Sequence, residues 1–124
     1  MNSTKAIVTI STIKGYANGA YASGWNLNQF TEMLQTIEES KFANSSISWL
    51  VTPAKTVYKR AWGAPRGGED VFVLEADYTE YDKNIDINDW KQNVLNHARY
   101  LKEYFKQETV RITFIDNTET LILR

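Results

Sequence analysis

An α+β fold, one antiparallel sheet carrying two helices on the same face, is the architecture this sequence predicts. Three observations predict it: an apolar alternation of period two at 5–11, segments of helical periodicity at 25–42 and 87–107, and further alternating segments between and after them. Strand, helix, strands, helix, strand is the split βαβ order of ferredoxin-like folds, with extra strands in the middle and at the end. A chain of 124 residues, 43% hydrophobic and 13% aromatic, is expected to form a single domain over 1–124 with one core.

The first strand falls at 5–11, where Ala6, Val8 and Ile10 lie on one side and Ile7, Thr9 and Ser11 on the other. Gly15, Gly19, Gly24 and the echo YANGA/YASGW at 16–25 then mark an irregular segment, read as a tyrosine-bearing flap. Leu27, Phe30, Leu34 and Ile37 recur at helical spacing. Asn26, followed three residues later by Gln29, has the form of a capping box, which places a helix near 27–40. SISWLVT (46–52) alternates and meets Pro53, where a strand is expected to end or bend. KTVYKRAW (55–62) and EDVFVLEADY (69–78) read as two more strands, joined as a hairpin by the loop AWGAPRGGED at 61–70. Trp90, Val94, Ala98, Leu101 and Phe105 form one stripe over 87–107, with Asp86 or Asn88 available as cap. TVRITFI (109–115), a turn at DNTE (116–119) and TLIL (120–123) read as a closing hairpin.

Composition narrows the function classes. With 14 basic and 15 acidic residues the charges nearly cancel, so no global field draws in nucleic acid or an anionic membrane. The lack of cysteine removes thiol catalysis, disulfides and cysteine-based zinc sites, and fits a cytoplasmic protein. No apolar run reaches the length of a membrane span or of a signal peptide's core with its cleavage site. Glu75, Asp77, Glu80, Asp82 and Asp86 cluster before the second helix, but their spacing is not that of a calcium loop. They read as a solvated connection whose charge suits a helix N-terminus, and neither metal nor cofactor is expected.

The glycine-rich loop fails the tests for phosphate binding. A Walker-type loop needs a lysine and a hydroxyl residue after its last glycine, whereas Glu69 and Asp70 stand there. A dinucleotide fingerprint needs a helix to follow, and a strand follows. The RNA-binding run of alternating glycines and aromatics fails too, because Gly68 and Asp70 occupy aromatic positions and eight acids lie between Glu69 and Asp89. What remains is a turn whose Arg66, with Lys55, Lys59 and Arg60, faces no acid within 55–66. His97, the only histidine, sits at the margin of the second helix's apolar stripe with Asp89 and Glu103 as unspecific partners, and no triad motif accompanies it.

Alternation assigns Val8, Ile10, Trp49, Val51, Phe72, Leu74, Ile112 and Phe114 to the core. Thr9, Ser11, Ser48, Tyr58, Arg60, Trp62, Val73, Glu75, Arg111 and Thr113 then point away. That outward set mixes aromatics and arginines, the side chains from which interface anchors and stacking platforms are made. The expectation is a non-enzymatic binding protein, a homodimer, that binds or sequesters a small anionic, nucleotide-like ligand or inhibits a protein partner. Tyr16, Tyr21, Trp25, Tyr58 and Trp62 would supply apolar contact, and Arg60, Arg66 and Arg111 would bind a phosphate or carboxylate. The alternatives are a small hydrolase or isomerase using His97 with a nearby carboxylate, and a structural or assembly subunit.

Overall fold

The computed structural model describes residues 2–12, 24–79, 81–82 and 84–123. In chain order the elements are β1 (Asn2–Ile10), α1 (Leu27–Ser40), β2 (Leu50–Thr56), a single 3₁₀ turn (Arg60–Trp62), β3 (Glu69–Tyr78), α2 (Ile87–Tyr104) and β4 (Arg111–Glu119). The four strands form one antiparallel sheet in the order β2-β3-β1-β4, which is the ferredoxin-like arrangement.

Local chemistry explains where the helices start. The Asn26 carboxamide accepts the Gln29 N–H at 2.8 Å while the Gln29 side chain accepts the Asn26 N–H at 2.9 Å, so the reciprocal cap forms as the sequence predicts. Asp86 caps α2 by accepting the Asn88 N–H at 2.8 Å. The stripe Phe30, Leu34, Ile37 of α1 and the stripe Trp90, Val94, Ala98, Leu101 of α2 cover Ala6, Val8 and Ile10 of β1 and Phe72, Leu74 and Ala76 of β3. Phe30 stacks on Phe72 at 4.3 Å between ring centres. Val51, Ile112 and Phe114 pack against this core only partly buried, because β2 and β4 are the sheet's edges.

Among the described residues the extra strands are not found, and each has a physical replacement. Residues 46–49 form no strand, since Glu38 takes the Ile47 N–H at 2.6 Å. The ladder begins at Leu50 and runs straight through Pro53, which an edge strand tolerates because one row of its N–H groups has no partner strand to serve. The chain leaves the sheet after Thr56 and winds into the 3₁₀ turn, ended by Gly63 at φ 99°. At the other end DNTE makes no reversal. Strand β1 begins earlier than its apolar pattern, at Asn2, and holds β4 in register as far as Glu119. Asn117 adopts φ 59°, a left-handed conformation that asparagine accepts more readily than most residues, and the register shifts between Ser3 and Lys5. The Ser3 hydroxyl lies 2.7 Å from the hydroxyls of both Thr118 and Thr120, which fastens this polar stretch to β1.

Candidate functional site

On the sheet face turned away from the helices, cross-strand partners line up in rows: Thr52, Val73, Thr9 and Arg111 in one, Leu50, Glu75, Ile7 and Thr113 in the next. One end of this face is open, with Leu50 64% and Ile115 41% exposed. The other is covered: Ser11 and Val71 are only 6% and 7% exposed. There Tyr58, just past the end of β2, and residues 107–110, which connect α2 to β4, wall a pocket of about 480 Å³, within the range of small-molecule sites.

Five segments converge on this pocket. Thr9 and Ser11 come from β1 and its exit, Thr56 and Tyr58 from β2 and its exit, Glu69 and Val71 from β3, Gln107 to Val110 from the connection, and Arg111 from β4. Register explains the set, because Thr56 pairs with Glu69 and Thr9 with Arg111, so these side chains share one face. The Tyr58 hydroxyl donates to Glu69 Oε2 at 3.2 Å. Among the described residues the pocket's charged groups are Glu69, Glu108 and Arg111, which sum to −1.

Of the eight residues singled out in the sequence, the structure brings Tyr58 and Arg111 into this pocket. Tyr16 and Tyr21 lie outside the described residues. Trp25 packs edge-on against Phe105 and Tyr104 at the end of α2. Trp62 is 68% exposed on the 3₁₀ turn with the Lys59 ammonium 5.1 Å from its ring centre, and Arg60 and Arg66 are exposed on the same loop. The basic run is not free of acids in space, since Lys55 meets Asp70 across the hairpin at 2.7 Å. Glu69 and Glu108 were not among the expected site residues. Glu69 was legible in principle, because counting back by twos from Glu75 and Val73 puts it on the outward face. Glu108 carries no such signal, because it lies in a connection.

His97 cannot serve the hydrolase or isomerase alternative. It is 1% exposed, stacked on Phe42 at 3.7 Å, with Nε2 2.9 Å from the Glu38 carboxylate and Nδ1 donating to the Asn93 carbonyl at 2.6 Å. Its partner is Glu38 of α1 rather than Asp89 or Glu103, and the pair ties α1 to α2. Glu38 also lines a second groove, of about 700 Å³, between α1 and the segment entering β2, together with Glu32, Glu39 and Trp49. Among the described residues that groove has no lysine or arginine in its lining. Among the described residues, no group of three or more histidine, cysteine or acidic side chains is placed to hold a metal, and no helix is long and apolar enough to cross a membrane.

A family model described as SAM lyase matches residues 1–123. The chain belongs to the SAM lyase family. Two solved structures share the SAM lyase fold with it. One is a phage SAM lyase in complex with S-methyl-5'-thioadenosine, 14% identical with a TM-score of 0.59, the match covering 92% of this chain and 81% of that one. The other is a phage SAM lyase in the apo state, 12% identical with a TM-score of 0.56, covering 93% and 81%. No curated protein matches the sequence. Membership of the SAM lyase family overturns the expectation of a non-enzymatic binding or inhibitory protein, because a lyase is an enzyme.

Proposed function

We propose that this chain cleaves S-adenosylmethionine (SAM) to S-methyl-5'-thioadenosine in the pocket at the covered end of the open sheet face. One observation carries the choice of pocket: its charges complement the substrate. SAM bears a sulfonium, an ammonium and a carboxylate, a net charge of +1, against two carboxylates and one guanidinium among the described lining residues. The charged residues described in the groove beside α1 are all carboxylates and would repel the substrate's own.

In the reaction the bond between the sulfonium sulfur and the adjacent methylene of the aminobutyryl group breaks, and its electron pair becomes a sulfur lone pair of the neutral thioether. The four-carbon fragment is left electron-poor at that carbon. Its own carboxylate is one five-membered ring away and closes on it as a lactone, so no proton is transferred and no water enters. Elimination would instead need a base to take a proton from a carbon not adjacent to any carbonyl. Ring closure is therefore the easier route, and the pocket's task is to hold the substrate folded. Tyr58 offers a ring face beside the cationic sulfur, with Glu69 fixing the phenol and adding negative charge. Charge complementarity fades as the neutral thioether forms, which favours product release.

The wider reading keeps the chain as one domain acting in the cytosol, with self-association, read from the sequence as a homodimer, through the exposed half of the same face. Purified protein incubated with SAM, followed by chromatography and proton NMR, tests the central claim. S-methyl-5'-thioadenosine and an amino lactone in equal amounts are expected. Unchanged SAM overturns the activity, and an alkene fragment overturns ring closure. Light scattering reports the assembly.

A further inference from the structure

We infer that Arg111 determines substrate choice by binding the α-carboxylate of SAM, so that this site selects sulfonium compounds that carry an amino-acid tail. The inference rests on the proposed lyase reading and adds to it a residue and a discriminated class of molecule. Arg111 opens β4 and pairs with Thr9 across the β1–β4 ladder, which sets its side chain on the outward face at the pocket wall. It is the only cation that the described residues bring to that lining.

Nothing among the described residues takes its charge. The adjacent row of the sheet carries Glu75, but Lys5 holds Glu75 at 3.7 Å and Asp77 at 3.1 Å. Glu69 accepts a hydrogen bond from Tyr58. Arg111 makes no salt bridge with any described residue, whereas Lys5, Lys55 and Lys91 each have an acidic partner. A guanidinium with no acidic partner among the described residues, in a wall that also holds Thr9, is a site for a planar anion, and its fork matches a carboxylate. Glu69 and Glu108 in the same pocket disfavour a phosphate group with several charges over a singly charged carboxylate. A zwitterion satisfies all three charges.

The energetic consequence is specific. The carboxylate loses its charge as it closes on the carbon, so the bond to Arg111 is stronger with bound substrate than at the transition state. Removing it therefore weakens recognition rather than the chemical step, so it should raise KM and not depress kcat. A charge-assisted hydrogen bond contributes about 1.5–3 kcal/mol, which is roughly 10- to 150-fold in affinity.

The test compares SAM with its decarboxylated form, which keeps the sulfonium and the ammonium and lacks only the carboxylate. In the full-length protein, KM for SAM and the inhibition constant of decarboxylated SAM are measured for wild type, Arg111→Gln and Arg111→Lys. The expected result is a roughly 10- to 150-fold rise in KM in the Gln variant with kcat held or raised, an unchanged inhibition constant for the decarboxylated compound, and partial recovery of KM in the Lys variant. An unchanged KM, or parallel losses for both compounds, overturns the inference while leaving the lyase reading intact. A wild-type protein that does not convert SAM overturns the lyase reading and the inference together. A thermal midpoint in Arg111→Gln equal to wild type separates these outcomes from misfolding, since the side chain is exposed.

Discussion

Tyr58 and Glu69 meet across the mouth of the β2–β3 hairpin, the phenol donating to a carboxylate oxygen at 3.2 Å. Eleven residues of sequence separate them, yet the contact follows from register, because Thr56 pairs with Glu69 and the chain leaves the sheet immediately beyond. The carboxylate and the ring belong to the same wall of the pocket. Glu69→Gln keeps the shape and removes the charge. It should weaken SAM turnover by about 10- to 150-fold in kcat/KM, and Tyr58→Phe, which leaves Glu69 charged, should cost less. Steady-state kinetics on both variants checks the order, and the reverse order would sink the electrostatic role of Glu69.

Gly67 and Gly68 distinguish a conformational requirement from a steric one. Both have positive φ, 86° and 98°, so alanine at either is strained by about 1–2 kcal/mol. A Cβ at Gly67 meets nothing within 4 Å, whereas at Gly68 it would lie 3.0 Å from the Thr56 carbonyl oxygen and 3.1 Å from Val57 Cγ2. Gly68→Ala should therefore be the more destabilising in urea melts. It alone should also reduce turnover, because it displaces Thr56 and Val57, which lead into Tyr58, from the strand that carries Glu69.

The buried His97–Glu38 pair is structural. Removing the imidazole leaves the largely buried Glu38 carboxylate without its partner, so His97→Ala should cost about 3–5 kcal/mol in denaturant unfolding. Whatever protein remains folded should turn over SAM at the wild-type rate per folded molecule. A stable but inactive His97 variant would return this histidine to the chemistry.

Acid should loosen the junction between α2 and the β1–β4 ladder. The Lys91 ammonium at 3.2 Å and the Thr4 hydroxyl at 3.0 Å hold the Asp116 carboxyl below its ordinary value of 3.8. A lowered folded-state value means the contribution is present above 3.8 and lost as pH falls through the lowered one. Lys5 has the opposite sign. Its hydrogen bond to Asp77 raises it above 10.5, so its contribution is present below that value and lost as pH rises through the raised one. Thermal midpoints measured between about pH 5 and about pH 1 should fall less steeply for Asp116→Asn than for wild type, with the two alike near neutrality apart from a constant offset.

Both helices, their caps and the buried faces of β1 and β3 were determined by the sequence alone, because periodicity and capping are local and the core-facing residues of central strands must be apolar. Thus Asn26, Gln29 and Asp86 stand where the cap geometry requires them, and Val8, Ile10, Phe72 and Leu74 are buried as alternation demands. The edges were not legible in this way. Whether Pro53 ends a strand, and whether DNTE turns back or continues, depends on which neighbour supplies hydrogen bonds; β3 and β1 supply them over distances no local pattern encodes. The pocket lies at that same level. Tyr58 and Arg111 could be placed on the outward face by counting, but only the ladder registers set Glu69 opposite Thr56 and Arg111 opposite Thr9, and only the path from α2 to β4 brings Glu108 to the same wall. The sequence determined which side chains point outward; the pairing of edge strands, a long-range choice of hydrogen-bond partners, decided which of them meet.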